Sequence, residues 1–89
     1  LGTESRYRNN LAYAQAAAGR WQDALRTFES TSSEADARYN LGVAYLHAGR
    51  TDDAAQAWRE ALSADPDHAQ ARVALDDLLQ SNSDSGVNP

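Results

Sequence analysis

The sequence predicts an all-α fold built as an array of like helical hairpins, and three observations carry that prediction. The 89 residues are mostly strong helix formers with only two prolines, Pro66 and Pro89. The phrase NLAYAQAAAGR at Asn10–Arg20 returns as NLGVAYLHAGR at Asn40–Arg50, and a repeated phrase at fixed spacing marks an array of units rather than one closed globule. Apolar residues also recur at helical spacing, with Leu41, Ala44, Tyr45 and Ala48 on one face and Ala54, Ala57, Trp58 and Ala61 on the next.

Each element follows from local signals. Residues 1–4 read as an N-terminal remnant, and helices are expected over 5–18, 21–31, 34–48, 51–64 and 67–80. Gly19-Arg20 and Gly49-Arg50 end the first and third, because glycine accepts the left-handed conformation that closes a helix. Ser33 with Asp36 three places on suits a capping box for the third, and Thr51 is placed to cap a fourth whose first turn carries Asp52 and Asp53. Pro66 cannot continue that helix. Ser81–Pro89, SNSDSGVNP, is polar and aperiodic, and is expected to form a disordered tail or linker. Connections this short make consecutive helices antiparallel neighbours. Gly42 and Ala44 opposite Trp58 let two of them approach closely while the indole fills the remaining gap.

The two units differ in length. Leu11 to Leu41 spans 30 positions and Leu41 to Leu75 spans 34, a deficit of about one helical turn. It falls between Phe28 and Leu41, so the second helix is expected to stop near Ser30 or Thr31 in a Ser-rich turn.

Composition narrows the functional classes. A chain of this length holds at most one domain, and with no cysteine it has neither disulfides nor thiolate chemistry, which suits any redox compartment. No apolar run is long enough for a membrane span, so a soluble chain without direct membrane insertion is expected, cytoplasmic or periplasmic if bacterial. All eight cations are arginine and alanine is the commonest residue, a usage like that of a GC-rich bacterial genome. Net charge is −5 and no basic stripe exists, so nucleic acid is not an expected partner.

At this point the residues resemble a known family. Leu41, Gly42, Tyr45, Ala54, Trp58, Ala61 and Pro66 stand, in order and spacing, at the seventh, eighth, eleventh, twentieth, twenty-fourth, twenty-seventh and thirty-second places of a tetratricopeptide repeat. Arg38 replaces the aromatic usual at the fourth place. The first unit fits with Leu11, Ala24 and Phe28 but has Ala12 for the glycine and Thr31 for the later alanine. A generic alanine-rich bundle of three or five helices is the alternative, and it leaves the placing of Gly, Trp and Pro unexplained. The resemblance implies a right-handed α-α superhelix over residues 5–80, with a shortened repeat (5–34), a well-matched repeat (35–68) and a capping helix (69–80). Asp76 occupies the cap's eighth place, where an unpaired carboxylate would not be buried under a neighbour, so that helix is expected to end the solenoid.

No residue cluster points to catalysis. His47 and His68 lie on different helices without further ligands, and each reads as a solvated helix-end residue, so no metal or other cofactor is expected. Asp52-Asp53 and Asp76-Asp77 are adjacent on helices and point about 100° apart, which denies them a shared site. Gly19-Arg20 and Gly49-Arg50 lack the Gly-x-x-x-x-Gly-Lys pattern of a phosphate loop, and no serine lies near a base. An enzyme is not expected.

Surface recognition remains. The family resemblance implies that the second, fifth, ninth and thirteenth places of each first helix face a concave groove. The partner-binding candidates are therefore Arg6, Asn9, Tyr13, Asp36, Tyr39, Val43, His47 and Val73, with Asn40 at a sixth place. Spacing alone puts Tyr39, Val43 and His47 on one stripe; for Tyr13 and Tyr39, packing between successive units is the alternative. One branch of the family grips a C-terminal carboxylate with paired cations, but Asn9, Tyr13, Gln70 and Ala74 stand where most of that set would be. The resemblance thus implies a protein-interaction module that holds a peptide or helix as a scaffold in a bacterial assembly, such as envelope, pilus or secretion machinery. Self-association into a weak homodimer is the rival.

Overall fold

The computed structural model describes residues 2–87, with side chains over 3–81. Five helices lie among the described residues: α1 (Gly2–Ala17), α2 (Trp21–Glu29), α3 (Glu34–His47), α4 (Thr51–Ala64) and α5 (Ala69–Val87). They form two antiparallel hairpins, α1–α2 and α3–α4, followed by α5, and each element packs on its successors in chain order.

Both hairpin turns use the same chemistry. Gly19 and Gly49 have φ of 80° and 78°. The Gly19 N–H donates to the Ala16 carbonyl and the Arg20 N–H to the Gln15 carbonyl, while Gly49 and Arg50 repeat the pattern on Leu46 and Tyr45. This pair of bonds satisfies carbonyls that a helix end otherwise leaves open. The following arginine then folds back on its own helix, Arg20 onto Asp23 at 2.7 Å and Arg50 onto Asp53 at 2.7 Å. The sequence expectation placed Thr51 as the cap of the fourth helix; in the structure Arg50 is the cap residue, no side-chain oxygen caps α4, and Thr51 is already helical. The glycine closure and the Arg50–Asp53 pair occupy the space and charge that a threonine cap would have served.

The shortened second helix is present. α2 ends at Glu29, whereas α4 runs fourteen residues. Hydroxyls close it: Ser30 Oγ donates to the Thr27 carbonyl at 2.6 Å and Ser32 Oγ to the Phe28 carbonyl at 2.7 Å. Side-chain bonds thus replace the missing turn. Ser33 then caps α3, accepting the Asp36 N–H at 3.1 Å.

At both ends the helices run past the expected bounds. Residues 2–4, expected as a remnant, form the first turn of α1, where Glu4 pairs with Arg8 at 2.9 Å. α5 continues through 81–87, expected as disordered tail, because extending an established helix carries no nucleation cost and no proline interrupts it there. Leu1 and residues 88–89 lie outside the described residues. α5 starts at Ala69 rather than 67, since the Asp67 N–H is held by Asp65 Oδ1 at 3.0 Å.

The core is made of small residues. Among the described residues, eleven of the fourteen buried hydrophobics are alanines, with Leu41, Phe28 and Trp58 the exceptions, so the bulk of the core rests on the two aromatics. Ala12, Ala16, Ala24, Phe28, Ala37, Leu41 and Ala44 close the junction of α1, α2 and α3. Ala54, Trp58, Ala61 and Ala71 close that of α4 and α5, with Tyr39 and Val43 of α3 packed against them. Arg38, at the place where an aromatic is usual, reaches across to Glu60 at 2.8 Å.

Candidate functional site

The first helices α1, α3 and α5 leave two recesses between them. The first, about 540 Å³, is lined by Tyr13, Ala16 and Ala17 of α1 and by Val43, Ala44, His47 and Ala48. Its floor is alanine, so its width comes from small side chains, and its polar groups are the Tyr13 phenol and the exposed His47 imidazole. The second, about 440 Å³, is lined by Tyr39 and by Ala69, Gln70, Val73, Ala74 and Asp77 of α5.

The structure brings some of the expected residues together and separates others. Tyr13, Val43 and His47 share the first recess, and Tyr39 and Val73 share the second. Tyr13 also packs edge-on against Phe28 at 5.0 Å, and half-buried Tyr39 stacks near Trp58 at 6.5 Å; both rings therefore serve packing while keeping an edge on a recess. Asn9 is exposed and accepts the Thr31 hydroxyl at 3.4 Å, and Arg6 is exposed; neither lines either recess. Half-buried Asn40 also lies outside both. Asp36 is engaged internally, its Oδ1 accepting from His68 Nε2 at 2.7 Å.

His68 corrects its expectation as a solvated residue. It is 8% exposed. Its Nδ1 accepts the Ala71 N–H at 3.1 Å, which puts the ring hydrogen on Nε2 and makes the imidazole the cap of α5 as well as its tie to α3. The spacing gave no sign of this, because Asp36 and His68 are 32 positions apart. A second unforeseen cluster sits where α2 meets α3: Trp21 stacks on Tyr45 at 4.3 Å, and the Arg50 guanidinium lies 5.1 Å from the Trp21 ring and 5.3 Å from that of Tyr45.

Burial raises the Tyr13 phenol above its ordinary value, and neighbouring Tyr39 adds to the rise. Tyr45 is raised by burial and then by Asp53, with Arg50 opposing. A raised phenol favours the neutral form in the folded state. Its contribution to stability is therefore complete below the unfolded value of about 10 and is lost as pH climbs through the folded one. Ultraviolet titration should show tyrosinate absorbance arriving above that range, with the late components removed by Tyr13→Phe and Tyr45→Phe; unchanged curves in both variants would contradict the assignment.

The hairpin geometry has a counterpart among known proteins. Residues 35–68 match the family model described as Tetratricopeptide repeat, and residues 5–30 match a second model of the same description. The chain belongs to the tetratricopeptide repeat family. The second tetratricopeptide hairpin carries the fuller match, and the first is matched over a shorter span that ends where α2 ends. No curated protein and no solved structure matches the chain. Tetratricopeptide repeats generally mediate protein–protein interaction and are generally non-catalytic, and none of the described helices is long and apolar enough to cross a membrane.

Proposed function

We propose that this tetratricopeptide domain holds a peptide or helix of a partner protein across α1, α3 and α5, acting as a scaffold in a multiprotein assembly. The supporting observation is the first recess: an alanine-floored, largely apolar channel with a phenol at one wall and an imidazole at its edge. Such a surface gives contact area to an apolar side chain while the two polar groups fix direction. The arginine-only, alanine-rich usage supports a bacterial host, with envelope machinery among the candidate assemblies.

Ala17 is exposed and lines the recess, so Ala17→Arg fills it without removing any packing. Val43→Asp places a charge on the opposite wall. Partners selected by the wild-type domain from a displayed peptide library should bind both variants at least about tenfold more weakly, a loss of about 1.4 kcal/mol, as measured by calorimetry. Equal affinity for wild type and both variants would move the binding surface elsewhere.

A further inference from the structure

Each first helix contributes one residue to a row that crosses the groove. Tyr13, Val43 and Asp77 stand two places after Leu11, Leu41 and Leu75, so they occupy the same level of α1, α3 and α5. Tyr13 and Val43 line the first recess, and Asp77 lines the second beside Tyr39 and Val73. The row therefore runs from an apolar depression to a carboxylate. Asp77 is exposed and makes no ion pair among the described residues, and the α5 arginine, Arg72, is turned back onto the Pro66 carbonyl. Among the described residues no arginine lines either recess, which leaves Asp77 as the fixed charge of both. A cation is the group that complements it, and the net charge of −5 draws a basic segment in from a distance.

The main chain of the occupant decides its form. Both recesses are walled by helices, whose N–H and C=O groups bond one another. Side-chain amides of α1 are turned towards α2: Gln15 Oε1 accepts the Thr27 hydroxyl at 2.7 Å, and Asn9 Oδ1 accepts that of Thr31 at 3.4 Å. Asn40 lines neither recess, and Gln70 is the one amide side chain among the described residues that lines either. An extended segment laid here would cover its own peptide groups with few partners for them, which is costly. A helix arrives with its main chain already paired.

We infer, on the reading that a partner crosses α1, α3 and α5, that the occupant is an amphipathic helix carrying an apolar anchor and, about two turns away, a lysine or arginine. The anchor fills the first recess between Tyr13 and Val43, and the cation meets Asp77. Packed helix axes lie about 8–10 Å apart, which puts the anchor and the carboxylate about 12–15 Å from each other. Two turns of helix cover about 11 Å, and the stem of the basic side chain supplies the rest. Ala16, Ala17, Ala44 and Ala48 let the helix lie low over α1 and α3. The same carboxylate repels an acidic segment, so the row selects by charge as well as by shape.

Two displayed peptide libraries of equal length test this, one on a helix-forming background and one punctuated by prolines. Binders of the wild-type domain are sorted by their response to Ala17→Arg, which isolates those seated in the first recess. These should come from the helix-forming library and carry a large apolar residue with Lys or Arg about seven or eight places away. Carbon chemical shifts of a labelled binder should turn helical on binding. Asp77→Lys should weaken such binders about fivefold, the upper range for an exposed ion pair, while circular dichroism confirms that the helices persist. Replacing the peptide's cation by Glu should restore affinity for Asp77→Lys and lower it for wild type. Recess binders drawn mainly from the proline library, or binders indifferent to Asp77→Lys, overturn this inference and leave the first recess as the binding site. If no binder responds to Ala17→Arg, the site itself falls and this inference with it.

Discussion

Trp58→Ala is expected to lower the unfolding free energy by about 3–5 kcal/mol, the usual range for truncating a buried aromatic. Among the described residues, Trp58 and Phe28 are the largest side chains with essentially no exposed surface. Around it stand Ala54, Ala61 and Ala71, which have no length with which to collapse into the space an indole leaves. The substitution also removes the indole N–H that donates to the Tyr39 carbonyl at 3.1 Å. A domain of this size has a total stability of about 4–13 kcal/mol, so the variant should lose a large share of its helicity under conditions where wild type is folded. Urea unfolding followed by circular dichroism measures the shift, and a change below about 1 kcal/mol would show that the alanine shell relaxes after all.

Gly42→Ala should also destabilise, although helix propensity alone argues the reverse. Alanine is better than glycine inside a helix by about 1 kcal/mol. A Cβ on Gly42, however, would lie 2.6 Å from Trp58 Cδ1 and 2.8 Å from Cε2, and it would press on the indole nitrogen as well. The ring cannot swing away, being buried and bonded to the Tyr39 carbonyl. Overpacking at such a site typically costs about 1–3 kcal/mol, and with contact this close the net expectation is a loss of about 2 kcal/mol. The cause is testable by a double-mutant cycle. Trp58→Phe removes the indole nitrogen from the contact, so Gly42→Ala should cost markedly less in the Trp58→Phe background than in wild type. Additive losses would place the strain elsewhere.

The architecture was legible because it rests on short-range signals. Gly19 and Gly49, the Ser33–Asp36 cap and the alternation of small and large residues around Trp58 are each readable within one or two turns. So was the stop at the end of α2, since a comparison of spacings locates a missing turn without any knowledge of packing. What stayed hidden depends on residues far apart in the chain. His68 carried the sign of a solvated helix-end residue until Asp36 and the Ala71 amide enclosed it. Trp21, Tyr45 and Arg50 belong to three different segments, and periodicity places each but does not bring them together. The same limit applied to the recess: spacing aligned Tyr39, Val43 and His47 on one stripe, yet the neighbouring helices divide them between two depressions. At the termini, low helix propensity outweighed helix extension in the sequence reading, and the order is reversed in α5.

The stop at Glu29 bears on how such arrays tolerate change. A deletion inside α2 would rotate the later side chains of that helix by about 100° per lost residue and strip Phe28 from its place. A deletion after Phe28 rotates nothing, since α3 takes its azimuth afresh from the Ser33 cap and from Leu41 and Ala44 seated on α2. The conserved quantity between the two hairpins is thus angular phase, not length. A ruler of fixed residue count misjudges this molecule, whereas a compass needle at each first helix does not.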